Sequence, residues 1–301
     1  MMYDLLIVGA GPAGLTAAIY ARRAGRSVLI LEKGGLGGQM TFSPKIENYP
    51  GYPVLSGMEL ADKMAEQALN LGAEVEIDTI LSAEDKGDYK LLHGEFADYE
   101  GRTLILATGA KHRLLGVPGE SELVGSGISF CAVCDGAFFE NKEVLVIGGG
   151  NSALQEAVLL AKTCKKVTVV QNLAVLTGER SLQESLFQND RVGFVYSATV
   201  SSFRREGERI STALSINGQP AELFSDGVFV AIGLAPDNQP FEQLVSLQNG
   251  YIQAGEDCLT QTPGVFAAGD CRTKGIRQIT TATGDGAVAA LVACRYLDAR
   301  S

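Results

Sequence analysis

A strand, a glycine-rich turn, a helix and a second strand follow one another twice in this 301-residue sequence. The first copy occupies residues 5–31 and the second residues 144–170, and the glycine turns begin at Gly9 and Gly148. The strand segments are continuous aliphatic runs, which are typical of parallel strands that are buried on both faces and covered by helices. The repeat therefore predicts an α/β fold with two related nucleotide-binding domains.

Other segments fit this interpretation. Aliphatic runs at residues 104–107, 228–231 and 265–268 predict further buried strands, and the alanine-rich segments 14–24 and 153–163 predict helices. The length suits two domains. The 36 glycines cluster in patches without a three-residue period, and 46% of residues are hydrophobic while 20% are charged. These values exclude a collagen-like chain and a disordered one.

Charge and targeting signals exclude several classes of partner. The net charge is −10, which argues against nucleic acid or an anionic membrane surface as the main partner. No apolar run approaches the roughly 20 residues that a membrane-spanning helix needs. No basic segment precedes the first strand, and six cysteines are too few for a disulfide scaffold. We therefore expect a cytoplasmic protein.

The first glycine turn has the G-x-G-x-x-G pattern at Gly9, Gly11 and Gly14, between a strand and a helix. Without side chains, such a loop lets a pyrophosphate approach the free N–H groups at the helix N-terminus. Glu32 ends the second strand, where an acid can accept a hydrogen bond from a ribose hydroxyl. The motif predicts a dinucleotide site, and the alternative is a tight packing turn without a ligand.

The second glycine turn continues from Gly148 through Gly150, Asn151 and Ser152, which are candidates for binding a nicotinamide nucleotide. Its second strand is followed by Gln-Asn-Leu at residues 171–173. This segment offers no acid for a ribose diol and no arginine for a 2′-phosphate. A structural relic of a duplication is therefore an alternative to a working site.

Cys131 and Cys134 form a C-x-x-C pair just before the second copy. Zinc would require two more ligands at short spacing, whereas the chain has no second pair and its two histidines, His93 and His112, lie apart, so we expect no metal. The spacing favours a redox-active dithiol. The adjacent Asp135 is a candidate proton donor or acceptor, and its alternative role is that of a helix N-cap.

Further motifs accompany the glycine loop and the cysteine pair. They stand at residues 37–39 (GGQ), 47–51 (ENYPG), 107–110 (ATGA), 130–136 (FCAVCDG), 268–270 (AGD), 277–279 (RQI) and 283–286 (TGDG). Over nearly its whole length the sequence resembles the low-molecular-weight, bacterial-type thioredoxin reductase family.

The resemblance implies two Rossmann-like, three-layer nucleotide-binding domains, one inserted into the other. Residues 1–115 and 241–301 would form a discontinuous FAD-binding domain, and residues 116–240 the dithiol domain. The resemblance also implies a homodimer. The residues expected to bind FAD are Gly9, Gly11, Pro12, Ala13, Gly14, Glu32, Gly38, Gln39, Asn48, Gly109, Gly269, Asp270, Arg277, Gln278 and Ile279.

By the same resemblance, electrons pass from reduced FAD to a Cys131–Cys134 disulfide and then to thioredoxin or a thioredoxin-like protein. Cys134 would face the flavin, Cys131 would attack the disulfide of the partner, and Asp135 would manage the protons. In this family the inserted domain rotates, so that the dithiol alternates between flavin and partner.

One segment departs from the family pattern. NADPH-dependent members carry a His-Arg-Arg run after the second strand of the inserted domain, followed by an arginine four residues later. This chain has Gln171, Asn172, Leu173 and Thr177 at those positions, and Arg180 would have to act from a displaced place. Either NADPH or NADH binds with altered affinity, or the donor differs, as in a ferredoxin-dependent flavin thioredoxin reductase. A dithiol oxidase that uses dioxygen and a non-enzymatic flavin redox sensor are further alternatives.

Overall fold

The computed structural model describes residues 2–43 and 45–300. It divides the chain into two compact units, Met1–Lys111 with Ala235–Ser301, and His112–Leu234. The predicted domain boundaries at 115/116 and 240/241 remain a prediction, and residues 1, 44 and 301 of the predicted FAD domain lie outside the described residues.

The elements alternate along the chain. The strands are β1 (Met2–Val8), β2 (Val28–Glu32), β3 (Glu74–Ile77), β4 (Ile80–Asp85), β5 (Lys90–Gly94), β6 (Asp98–Leu106), β7 (Ala110–His112), β8 (Ile128–Ser129), β9 (Glu143–Ile147), β10 (Lys166–Val170), β11 (Val192–Val195), β12 (Ala198–Glu206), β13 (Arg209–Ile216), β14 (Gln219–Ser225), β15 (Gly227–Val230), β16 (Leu234–Pro236), β17 (Leu247–Gln248), β18 (Tyr251–Ile252) and β19 (Val265–Ala267). The α-helices are α1 (Pro12–Arg23), α2 (Gly57–Asn70), α3 (Glu120–Leu123), α4 (Ala132–Asp135), α5 (Asn151–Leu160), α6 (Arg180–Phe187) and α7 (Ile279–Asp298). Short 3-10 helices lie at Gly38–Phe42, Gly136–Phe139, Gln239–Phe241 and Gly269–Cys271.

The first unit is built on a sheet in the order β3-β2-β1-β6-β5-β4, with β19 also pairing with β6. β1, β2, β3, β6 and β19 pair in parallel, and β4, β5 and β6 pair antiparallel. Leu5 and Ile7 of β1 pack with α1, α2 and α7, whereas Leu6 and Val8 pack on the other face with β4, β5 and the segment 241–245. The unit has three layers because both faces of the parallel strands are apolar.

The second unit has a parallel sheet in the order β11-β10-β9-β15-β8 and a separate antiparallel sheet β12-β13-β14. Val144 and Val146 of β9 pack against α5 and α6 on one face. Leu145 and Ile147 pack on the other face against the antiparallel sheet.

The α/β class, the parallel strands and the helix after each glycine turn are confirmed. The cover of the second unit differs from the expectation, because helices cover only one face of its parallel sheet. The antiparallel sheet covers the other face. A helix and a sheet with one apolar side both provide the apolar surface that the buried strands need. Among the described residues, no helix is long and apolar enough to cross a membrane.

Candidate active site

The first glycine turn leaves the N-terminus of α1 open. Gly9 has a φ of 103°, and a Cβ there would collide with the carbonyl of Ala107, so this position requires glycine. A Cβ at Gly11 would meet nothing within 4 Å. Pro12 is the first helical residue, and no side chain of the described residues caps the helix. The free amides of α1 thus face open space that suits an anion.

Glu32 lies where the motif predicts it, at the end of β2 beside the glycine turn. Its carboxylate accepts hydrogen bonds from the backbone N–H groups of Ala10 (2.8 Å) and Gly34 (2.9 Å). These bonds fix the carboxylate against the loop and leave it further acceptor positions for a ligand hydroxyl.

Distant segments of the first unit meet at this turn. The N–H of Gly37 donates to the carbonyl of Ala10 (2.8 Å), and a Cβ at Gly38 would lie 3.2 Å from Cα of Gly11. Gly269 contacts the helix start closely enough that a Cβ there would lie 2.8 Å from Cβ of Ala13. The structure therefore gathers Gly9 to Gly14, Glu32, Gly38 and Gly269 around the N-terminus of α1.

The remaining predicted FAD residues lie on adjoining segments of this unit. Nδ2 of Asn48 donates to Oε1 of Gln278 (3.3 Å), and Ile279 is the first residue of α7. The guanidinium of Arg277 lies 4.3 Å from the ring centre of Tyr251. Gly109 follows β6, and a Cβ there would meet nothing within 4 Å; Gln39 lies in the 3-10 helix Gly38–Phe42.

Asp270 carries an unpaired polar atom. Its Oδ1 is buried and has no hydrogen-bond partner among the described residues. Burial raises the pKa of Asp270, although the charges of Lys274 and Arg277 oppose this. An orphaned carboxyl oxygen in the unit that holds the glycine turn fits a ligand that brings hydroxyl groups.

Asp285, in α7 and in the TGDG motif at residues 283–286, is the centre of a buried ion cluster that the sequence did not predict. Its carboxylate accepts from Nε and Nη2 of Arg272 (both 2.8 Å), from Nζ of Lys274 (3.0 Å) and from the N–H of Gly269 (2.9 Å). The side chain of Arg272 is only 2% exposed. The cluster fixes the Gly269 segment that contacts α1.

Cys131 and Cys134 form a disulfide in the second unit, with their Cα atoms 5.3 Å apart. Cys131 precedes α4 and caps it: its carbonyl accepts the N–H of Cys134 (3.2 Å), and its Sγ lies 3.2 Å from the same nitrogen. The helical turn brings the two sulfurs together, because residues three apart share one face. Val133, between them, is exposed.

Two residues near the dithiol were not predicted. The hydroxyl of Ser129 donates to Oδ2 of Asp135 (2.5 Å) and accepts the N–H of Cys131 (3.1 Å). The carboxylate of Glu156, on α5, accepts the N–H of Ala132. A signal for Glu156 existed, since it is the single charged residue of α5. Asp135 does not cap a helix through its side chain, so its N-cap alternative is not what the structure shows.

Burial raises the pKa of Asp135, and the hydrogen bond from Ser129 opposes this. Burial raises the pKa of Glu156 to about 7. The hydrogen bond from the N–H of Ala132 opposes this rise, and the charge of Asp135 adds to it. Two protonatable carboxyls therefore lie against the peptide that carries the cysteines.

The second glycine turn also has the expected backbone. Gly148 has a φ of 131°, and Gly150 precedes α5, which starts at Asn151 and continues with the exposed Ser152. The side chain of Asn151 is engaged by Glu179, whose N–H donates to Oδ1 (2.6 Å) and whose Oε1 accepts from Nδ2 (3.0 Å).

The segment after β10, residues 171–179, contains no Arg, Lys or His. Gln171 is buried and bonds its own loop, through Nε2 to the carbonyl of Val175 (3.1 Å). Arg180 is the single Arg, Lys or His in residues 171–190, and its Nε pairs with Glu184 at 2.9 Å. Among the described residues, no group of three or more His, Cys, Asp or Glu side chains could hold a metal.

Comparison with known proteins places these features in one family. The pyridine nucleotide-disulphide oxidoreductase family matches residues 3–286. The chain is 43% identical to a thioredoxin reductase of Bacillus subtilis and 42% identical to one of Listeria monocytogenes, covering 99% of this chain and 95% and 94% of theirs. A crystal structure of thioredoxin reductase from Streptococcus pyogenes superposes with a TM-score of 0.94 at 44% identity, covering 99% of both chains. With its glycine turns and its C-x-x-C disulfide, the chain belongs to the pyridine nucleotide-disulphide oxidoreductase family, in the thioredoxin reductase branch.

Proposed function

We propose that the protein uses bound FAD to reduce the disulfide of thioredoxin or a thioredoxin-like protein through Cys131 and Cys134. The observation that carries this proposal is the Cys131–Cys134 disulfide, held at the start of α4 between two protonatable carboxyls. The names of the relatives support thioredoxin as the partner.

The first unit fits FAD. The free amides of α1 would bind the pyrophosphate, Glu32 would accept a ribose hydroxyl, and the orphaned Oδ1 of Asp270 would accept or donate a hydrogen bond at the ribityl chain. When bound, FAD supplies the electron pair that opens the disulfide.

The cysteines divide the remaining work. Opening the disulfide takes two electrons and gives two thiolates, and each thiolate that takes up one proton becomes a sulfhydryl group. Cys134 would face the flavin, and Cys131 would attack the partner disulfide as a thiolate. Asp135, with its raised pKa, would supply or accept the proton. This division requires the dithiol to alternate between flavin and partner.

The purified full-length chain tests this function directly. We expect a yellow protein that releases FAD on denaturation and, after chemical reduction under argon, converts thioredoxin disulfide to dithiol. A colourless protein without FAD would refute the cofactor, and a flavoprotein that leaves thioredoxin oxidised would refute the partner. Formation of peroxide from dioxygen by the dithiol would instead indicate an oxidase. Reduction of the flavin without any turnover of the dithiol would indicate a redox sensor.

Asp270 should matter for the cofactor more than for the fold. Asp270→Ala removes a buried oxygen that has no hydrogen-bond partner among the described residues and that would bond the ribityl chain, so FAD affinity should fall by about tenfold to a hundredfold. The apoprotein should unfold at the same or a higher urea concentration, because it loses an unsatisfied polar atom. Equilibrium dialysis against FAD and urea unfolding of the apoprotein measure the two effects, and exposed Asp62→Asn is the control.

For the electron donor, we infer that NADPH binds weakly. Charge-assisted hydrogen bonds to a phosphate are worth about 1.5–3 kcal/mol each, and no cation follows β10 before Arg180, which is paired with Glu184. A protein donor such as reduced ferredoxin does not need these charges. Two further proposals stand beside these: a cytoplasmic location, which rests on the sequence, and a homodimer, which rests on the resemblance alone.

Restoring cations tests this explanation. The double variant Asn172→Arg with Leu173→Arg should bind NADPH about tenfold to a hundredfold more tightly. Thr199→Arg with Ser201→Arg adds the same charge on exposed positions of β12 and should change little. Anaerobic titration, read from the flavin absorbance, gives the affinity, with reduced ferredoxin and NADH as competing donors. Rapid bleaching of the unmodified protein by micromolar NADPH would contradict the inference.

A further inference from the structure

Two carboxyl side chains reach the dithiol peptide from different elements. Asp135 ends α4 and is bonded to Ser129, whereas Glu156 comes from the second turn of α5, outside the C-x-x-C motif. The function proposed above uses Asp135 and gives no role to Glu156.

The two carboxyls accept hydrogen bonds, one through Ser129 and one directly, from the backbone amides on the two sides of Cys131. The N–H of Cys131 donates to the hydroxyl of Ser129, which donates in turn to Asp135. The next N–H along the chain, that of the buried Ala132, donates directly to Glu156. Cys131 is therefore bracketed by hydrogen bonds that both end on a carboxyl group.

The charge on Glu156 depends on few neighbours. Its pKa is raised by burial and by the charge of Asp135, and the hydrogen bond from the N–H of Ala132 opposes this. Apart from α4, the elements packed against α5 carry these charged residues: Arg180 and Glu184 on α6, Lys166 on β10 and Glu143 on β9. None of these side chains is hydrogen-bonded to Glu156. Two like charges in a buried place resist being present together, and the charge of Asp135 therefore helps to raise the pKa of Glu156.

We propose that Glu156 is a positioning residue of the dithiol, which orients Cys131 through the Ala132 amide and whose charge, shared with Asp135, controls how readily Cys131 ionises. The proposal rests on the proposed function only in taking Cys131 as the attacking thiol. When Glu156 is ionised, its negative charge beside Cys131 disfavours the thiolate. When it is neutral, that penalty is absent.

Glu156→Gln separates the charge from the hydrogen bond, because the amide oxygen can still accept the N–H of Ala132. The full-length FAD-bound protein is reduced with a phosphine and alkylated with iodoacetamide, and modification of Cys131 is followed by peptide mass spectrometry. At about pH 6 the variant and the parent should react at nearly the same rate, since Glu156 is mostly protonated in the parent and the glutamine of the variant carries no charge. At about pH 8.5 the variant should react about threefold faster or more.

Exposed Glu140→Gln, close to the motif, is the matched control and should follow the parent at every pH. A purely structural role would change the rate by the same factor at all pH values, and that result would overturn the proposal. If Glu156→Gln does not fold, Asp135→Asn provides the second test: loss of the Asp135 charge should move the inflection in the alkylation rate of Cys131 to lower pH. An unmoved inflection would overturn it as well.

The alkylation readout does not depend on turnover. A protein that shows the pH-dependent ratio and yet fails to reduce thioredoxin would contradict the proposed function and support this role of Glu156. A protein that reduces thioredoxin but shows the same ratio of variant to parent alkylation rates at every pH would support the proposed function and contradict this role of Glu156.

Discussion

Replacing Cys134 with Ser should lower the rate of thioredoxin reduction by at least ~10³-fold, while FAD stays bound. A hydroxyl cannot form the disulfide with Cys131 that accepts the electron pair, so the path from flavin to partner is broken. The residues that we propose bind FAD lie in the other compact unit and are unchanged. Turnover is measured with thioredoxin disulfide after chemical reduction of the flavin, and FAD content from the absorbance spectrum.

The same variant also reports which cysteine attacks the partner. In Cys134→Ser, the remaining Cys131 should form a mixed disulfide with thioredoxin that nothing resolves, visible on a non-reducing gel. Cys131→Ser should lose turnover equally but trap far less partner, because Cys134 faces the flavin in the proposed mechanism. The buried Cys294 lies in α7, and Cys294→Ser should keep both turnover and FAD. Unchanged turnover in Cys134→Ser would refute the dithiol mechanism.

Asp285→Asn should cause the largest loss of stability, about 3–5 kcal/mol in the free energy of unfolding. The substitution removes the carboxylate that Arg272 and Lys274 share, and the side chains of these two residues are only 2% and 5% exposed. Among the described residues, Arg272 keeps only the exposed Glu256 as an acidic partner, at 3.3 Å. It also weakens the bond that fixes Gly269 against α1, so FAD retention should fall with stability. Urea unfolding followed by circular dichroism measures the first effect.

The pH dependence of this loss follows from the direction of the shift. Burial acts to raise the pKa of Asp285, but the hydrogen bonds from Arg272, Lys274 and Gly269 and the charge of Lys274 outweigh it, so the pKa lies below its usual value. A lowered pKa stabilises the fold above the unfolded-state pKa of about 4, and this contribution disappears as the pH falls through the folded-state value. The difference between parent and variant should therefore be constant near neutral pH and shrink only below about pH 4.

Exposed Asp62→Asn on α2 is the matched control and should change the free energy of unfolding by less than about 0.5 kcal/mol. If Asp285→Asn unfolded at the same urea concentration as this control, the ion cluster would contribute nothing to stability. A difference that already shrinks near neutral pH would show that Asp285 is not the group responsible.

Several features of the site follow from local sequence because the interactions that define them are local. The strand–turn–helix units could be predicted, since an aliphatic run, a glycine turn and an alanine-rich segment that follow one another favour a strand, a turn and a helix through local interactions. The dithiol could be predicted because two intervening residues place Cys131 and Cys134 on one helical turn. The absence of cations after β10 is likewise a property of a short segment, residues 171–179.

Other features depend on contacts between residues that are far apart in the chain. Glu156 lies 24 residues from Ala132, and Asp285 lies 16 residues from Gly269; each pair meets only because the helices pack where they do. The cover of the second unit's parallel sheet is another such feature. Its buried strands need an apolar surface against them, and antiparallel strands provide that surface as well as helices do. The sequence by itself determined the two nucleotide-binding folds and the redox pair. Only the tertiary structure decided which carboxyls reach the dithiol and which cations are buried, because burial and charge pairing arise from packing and not from the order of residues.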